Sequence, residues 1–232
     1  MAKTFTKIGK EITIAVKQGG PDVVGNSRLR ALMAEARSEN MPKDNVEKAI
    51  KRALEKNQGD FKEVVFEGYG PHGIAYLVET ATDNNTRTVA NVRSYFTKCG
   101  GSLGTSGSVS FMFDHKCVFR IKYQDGMDID ELQLALCECD DDPEVFIEEQ
   151  EDKDENITKN VVIYGAYESY GAIQKYIEDN GYELVSGGFE RIPNVDLKDV
   201  TPEQRETLDK LTGLLEDDDD VTNVYSTLKP AE

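Results

Sequence analysis

Hydrophobic spacing divides the chain into a helical start and a mixed remainder. Phe5, Ile8, Ile12, Ala15 and Val16 recur at helical intervals, which predicts an amphipathic helix over 4–17. Gln18-Gly19-Gly20-Pro21 ends it, with glycines past the last turn and a proline that cannot continue it. Asn26 or Ser27 can cap a second helix with Leu29, Leu32, Met33 and Ala36 facing inward. Pro42 suits the first turn of a third, whose apolar stripe is Val46, Ala49, Ile50, Ala53 and Leu54. Asn57-Gln58-Gly59-Asp60 is the expected stop.

Past residue 60 the period changes. Residues 64–69 and 74–80 read as strands around the turn Gly70-Pro71-His72-Gly73. Asp83-Asn84-Asn85 offers caps for a helix over 86–98, with Val89, Val92 and Phe96 on its apolar face, and 109–113 reads as a further strand. Strand-like 118–122, helical 129–137, strands 145–149 and 160–164, helix 167–180 and strand 182–192 follow the ferredoxin-like order β-α-β-β-α-β. The charged stretch 148–156 is expected to be its hairpin loop. Thr201-Pro202 opens a helix to about 216 with Leu208, Leu211 and Leu215 inward, and 221–228 is a last strand.

The fold class is therefore α+β and multidomain. An N-terminal helical bundle spans 1–60, a split middle α/β domain spans 61–117 plus 193–232, and an inserted ferredoxin-like α/β domain spans 118–192. No period of a solenoid repeat is visible.

Charge is distributed unevenly over these segments. The total is −17, yet residues 1–60 hold 12 Lys+Arg against 8 Asp+Glu and 61–122 hold 7 against 5, while 123–232 hold 8 against 31. Such a split points to a basic module meeting a polyanion and an acidic body able to meet basic protein surfaces. On the first helix Lys3, Lys7, Lys10 and Lys17 share a sector opposite the apolar stripe, and Lys48, Lys51 and Arg52 lie on the reverse of the third. With Arg87, Arg93 and Lys98 from the 86–98 helix, these are the expected phosphate contacts. Within 1–60 no aromatic platform of the single-strand-binding kind is evident. No apolar run is long enough to span a membrane and the start lacks a secretory core, so the expected location is cytoplasmic.

Catalytic chemistry finds little footing. The only histidines, His72 and His115, lie outside any HExxH setting, and no nucleophile elbow occurs. Cys99, Cys117, Cys137 and Cys139 form no CxxC pair and read as buried reduced thiols. The runs Asp140–Asp142 and Asp217–Asp220 could suggest a Mg²⁺-dependent nuclease, but consecutive aspartates diverge, and solvated acidic surface is the expectation. No metal or other cofactor is expected. The loop Gly100-Gly101-Ser102-Leu103-Gly104-Thr105-Ser106-Gly107-Ser108 lacks the Lys-Ser/Thr ending of a Walker motif and leads into a strand. It reads either as a loop whose Gly100, Gly101, Ser102, Gly104 and Gly107 touch a polyanion or partner, or as a connector that needs positive φ.

Several stretches together, MPKDNVEKAIKRA, VVFEGYGPHGIAYLVETATDNNTRTVANVRSYFTKCGGSLGTSGSVSFMF and LTGLLEDDDDVTNVY, resemble the YebC/PmpR family over nearly the whole chain. That family includes mitochondrial translational activators of cytochrome oxidase. The resemblance implies a three-domain, cleft-bearing, non-enzymatic protein: a DNA-binding transcriptional regulator, or a ribosome-associated factor that assists translation through difficult stretches such as proline runs. Family members carry a basic, Trp-containing segment before the helix that here starts at Lys3, and this chain has no tryptophan. The resemblance therefore implies less basic charge ahead of that helix.

Overall fold

A computed structural model describes residues 2–55, 60–151 and 157–231. Three helices come first: α1 (Ala2–Gly19), α2 (Ser27–Ser38) and α3 (Lys43–Leu54). The expected stop at 57–60 and the tip of the 148–156 loop lie largely outside the described residues. The chain forms two compact units. One holds 1–14, 51–114 and 191–232, and the other holds 15–50 and 115–190.

The first unit contains β1 (Lys62–Tyr69), β2 (Ala75–Thr82), α4 (Asn85–Lys98), the two-residue β3 (Ser102–Leu103), α7 (Pro202–Glu216) and β8 (Val221–Ser226). Its sheet order is β3-β1-β2-β8. β1 and β2 pair antiparallel from Lys62↔Thr82 to Tyr69↔Ala75, and β8 pairs antiparallel with β2. Strand alternation sends Phe66, Tyr76 and Val78 to one face, where they meet Val92 and Phe96 of α4 and Leu208, Leu211 and Leu215 of α7. Tyr76 and Phe96 meet edge to face at 5.9 Å. Ala75 and Leu77 point to the other face, against Val109 and Phe113. Both helices start as their sequences require. Asn84 accepts a hydrogen bond from Arg87 N, and Thr201 and Gln204 form a reciprocal capping box.

The second unit contains β4 (Phe113–Lys122) from residue 115 on, α5 (Ile129–Leu136), β5 (Glu144–Glu151), β6 (Ile157–Ala166), α6 (Tyr170–Asp179) and β7 (Leu184–Pro193) up to residue 190. The sheet order β5-β6-β4-β7 with two interposed helices is ferredoxin-like. Phe119, Ile121, Leu132, Leu136, Ile163, Ile173 and Ile177 fill its core, and Ala31 of α2 joins them. Asn26 ties the end of α1 to the start of α2. Its Oδ1 accepts from Leu29 N at 3.0 Å while Nδ2 donates to Ala15 O at 2.8 Å and Gly20 O at 2.9 Å.

Four expectations are corrected. Residues 109–113 do not form a strand. Ser110–Met112 is a 3₁₀ turn, Phe113 opens the single long strand β4, and the strand following α4 in the first sheet is β3, inside the glycine-rich loop. Glycines make that possible, because β3 must approach β1 without a Cβ in the way. Leu54 is exposed at the end of α3, where the helix runs out of apolar cover. Cys137 is exposed and Cys139 half-buried, whereas Cys99 and Cys117 are buried; all four are free thiols.

Candidate nucleic-acid interface

The glycine-rich loop is built on β1. Gly68 and Gly101 allow the close approach: a Cβ on Gly101 would stand 2.5 Å from Tyr69 O, and one on Gly68 would stand 2.7 Å from Ser102 O. Gly100 and Gly107 take positive φ, 78° and 86°. Gly104 N donates to Glu67 O at 2.8 Å. Glu67 itself is buried and its carboxylate accepts from the backbone amides of Gly107 (2.7 Å), Val109 (2.8 Å) and Ser110 (2.8 Å). Burial works against its charge, but these amide hydrogen bonds outweigh it and hold Glu67 below the usual carboxylate range. The loop is thus clamped at its C-terminal side, while Ser102 and residues 104–107 face solvent. The conformations of Gly100, Gly101, Gly104 and Gly107 follow from turn geometry and packing on β1.

Beside the loop runs α4. Its Val92 and Phe96 are buried, and Arg93 and Lys98 are exposed. The Lys98 ammonium lies 5.8 Å from the Tyr95 ring. Arg87 at the other end pairs with Asp83 (3.0 Å) and Asp220 (2.6 Å). Past the loop, Phe111 is 67% exposed on the 3₁₀ turn. Asn194 holds that turn from the far side, with its N donating to Met112 O at 2.9 Å and its Nδ2 to Phe111 O at 3.2 Å.

The cations expected on α1 divide by environment. Lys3 is exposed and pairs with Asp217 at 2.6 Å. Lys7 is half-buried and donates to Glu216 O; burial lowers its pKa although Glu216 opposes the shift. With Thr222, Asn223 and Tyr225 the two lysines line a shallow cleft. Lys10 requires correction as a phosphate contact. It is buried, and its ammonium donates to Asp220 Oδ1 (2.7 Å), Asp219 O (2.7 Å) and Ala81 O (3.2 Å), because the helix sector that carries it packs inward at this turn. Lys51 is exposed, whereas Arg52 is half-buried with its guanidinium 4.2 Å from the Phe61 ring centre, a ring that Lys10 also approaches at 5.3 Å. In the second unit Lys17 and Lys48 are exposed.

The acidic runs also need correction, since each contains a buried aspartate. Asp220 receives Lys10, Arg87, Thr88 Oγ1 (2.9 Å) and Thr82 Oγ1 (3.3 Å). Burial alone would push it up, yet these hydrogen bonds outweigh it and bring it down to about 2. Asp218 accepts from Asn91 Nδ2 at 3.1 Å and Tyr95 Oη at 2.9 Å, and burial together with this bond pushes Tyr95 up to about 12. In the other unit Asp140 accepts from Asp142 N and Ala166 N. Asp220 is bound by a lysine and an arginine over 130 residues away, and Glu67 by backbone amides 40 or more residues on, so neither burial leaves a local spacing signal in the sequence. Among the described residues no cluster of three or more His, Cys, Asp or Glu is placed to hold a metal ion. Among them, too, no helix is long and apolar enough to cross a membrane.

Residues 1–56 match the TACO1/YebC protein N-terminal domain, and residues 61–228 match the TACO1/YebC second and third domain. The chain belongs to the TACO1/YebC family. It is 58% identical to a probable transcriptional regulatory protein of Parabacteroides distasonis, over 99% of this chain and 90% of the relative. A protein of the same description from Flavobacterium johnsoniae is 55% identical over 99% of this chain and 92% of its own. The crystal structure of a conserved hypothetical protein from Aquifex aeolicus superposes with a TM-score of 0.80 at 32% identity, covering all of this chain and 91% of that one. TACO1/YebC membership thus extends over both units of the fold.

Proposed function

We propose that this protein is a non-catalytic, cytoplasmic nucleic-acid-binding regulator, a DNA-binding transcriptional regulator of TACO1/YebC type, that grips phosphates with exposed cations. The reading treats 1–60, 61–117 plus 193–232, and 118–192 as its three domains. The observation that carries it is the sorting of charge in the first unit. Arg93 and Lys98 stand exposed on α4 just ahead of the solvent-facing glycine loop, while Asp217, Asp218 and Asp220, which would repel a polyanion, are engaged by Lys3, Asn91, Tyr95, Lys10 and Arg87. Lys48 and Lys51 add to the exposed cations. The names of the relatives, probable transcriptional regulatory proteins, support the regulatory part. Phosphate contacts of this kind give position and affinity without sequence readout. Anisotropy titration of the full chain against labelled duplex DNA and single-stranded RNA at low salt tests the reading. Binding should weaken steeply with salt, and no binding to either probe would overturn it.

A second reading rests on the acidic part of the chain. With 8 basic against 31 acidic residues, 123–232 is repelled by duplex DNA and tolerated beside basic ribosomal proteins. Cosedimentation with ribosomes, set against preference for promoter over random duplex at fixed salt, separates a translation factor from a transcriptional regulator.

A further inference from the structure

Phe111 is the residue that the cation-based reading leaves unexplained. Burying a phenylalanine stabilises a fold, yet this one is 67% exposed while its neighbours Val109 and Phe113 are only 0% and 5% exposed. The exposure is not that of a loose segment. Ser110 N and Val109 N are held by the buried Glu67 carboxylate, and Asn194 holds Phe111 O and Met112 O from the other side. The backbone on both sides of the ring is fixed, so the ring is presented at a set position at little ordering cost. Within four to seven residues along the same clamped segment stand the exposed hydroxyl residues Ser106 and Thr105 and the exposed Gly104 and Gly107. The exposed cations Arg93 and Lys98 precede that segment on α4. A rigid aromatic face, hydroxyl donors and cations in one unit are the parts from which sequence-tolerant single-strand sites are made: stacking for the base, charge for the backbone.

We propose that Phe111 is a stacking platform for an unpaired nucleobase, with the 102–108 loop and Lys98 following the adjoining backbone. The inference rests on the nucleic-acid reading above and sharpens it, since a duplex offers no free base face to Phe111. The protein should therefore prefer single-stranded segments. RNA and DNA single strands share this chemistry and are both used as probes.

The test uses the full chain. Because the sequence contains no tryptophan, Phe111→Trp introduces a single indole fluorophore at the platform. Titration with a mixed-sequence RNA of about 12 nucleotides, long enough to fill a typical single-strand site, and separately with DNA, should quench the indole emission. The same sequence annealed to its complement should not. Phe111→Ala should weaken single-strand binding by about five- to 150-fold, the effect of one stacked base, and leave duplex affinity unchanged. Phe111→Tyr should retain single-strand binding. If the wild-type chain binds nucleic acid but the indole of Phe111→Trp is not quenched and Phe111→Ala binds single strands normally, the stacking inference falls and the nucleic-acid reading stands. If the wild-type chain binds no nucleic acid, both fall. An equal loss on single strand and duplex in Phe111→Ala also overturns it, since that marks a general structural effect.

Discussion

Asp220 shows how much one side chain can organise. Its two carboxylate oxygens take Lys10 on one side and Arg87, Thr88 and Thr82 on the other, so α1, β2 and α4 converge on the turn before β8. Removing one partner of a buried pair leaves the other charge stranded, at a cost of about 3–5 kcal/mol. Asp220→Asn is therefore expected to lower the urea midpoint markedly. Lys10→Met should cost less, because Asp220 keeps Arg87 and both threonines. The same carboxylate gives a pH signature. Its folded pKa of about 2 lies below its ordinary value, so the group contributes stability that is complete above about pH 4 and is lost as pH falls through about 2. With solvent screening of the exposed Arg87 partner allowed for, that contribution is roughly 2 kcal/mol. Acid titration of unfolding free energy should show this loss in the wild type and a flatter acid limb in Asp220→Asn.

At the scale of an element, the glycine loop is defined by contacts to β1 that its own sequence does not contain. Glu67→Gln keeps the shape but removes the charge that gathers three amides. Charge-assisted hydrogen bonds are about twice as strong as neutral ones. Hydrogen exchange at Gly107, Val109 and Ser110 should accelerate in this variant while exchange in β2 stays slow. Gly101→Ala pushes a Cβ to 2.5 Å from Tyr69 O. It should lift β3 from β1 and destabilise the first unit by about 1–3 kcal/mol, measurable by calorimetry. Gly100 and Gly107 need only their positive φ to be explained, which is why a connector reading is open from the sequence.

For the whole molecule the question is which cations reach a ligand. A count of lysines and arginines treats Lys10 and Lys98 alike, but only the second is exposed. The double variant Arg93→Glu/Lys98→Glu is expected to weaken nucleic-acid binding at low salt and to reduce the slope of log affinity against log salt by about 2. Lys10→Met, measured where it remains folded, should leave that slope unchanged. Equal effects of the two variants would show that burial does not sort the cations as the structure does.

What the sequence determined by itself was local or periodic. Helical spacing and caps located α1 to α4 and α7, the β-α-β-β-α-β order identified the ferredoxin-like sheet, and the combined motifs identified the family. These features repeat within a few residues, so neighbouring positions carry the information. Tertiary structure decided whatever depended on partners far along the chain. It moved the strand after α4 into the glycine loop, because β1 has room for a glycine backbone there. It turned Lys10 inward and buried Asp220, because the two charges, 210 residues apart, give each other the partner that replaces the hydration lost on burial. It left Phe111 outside while Val109 and Phe113 went in, because Glu67 and Asn194 fix the turn between them. An apolar residue's fate follows from pattern only while its element is regular. Where the chain turns, the hydrogen bonds that hold the turn choose which side faces solvent.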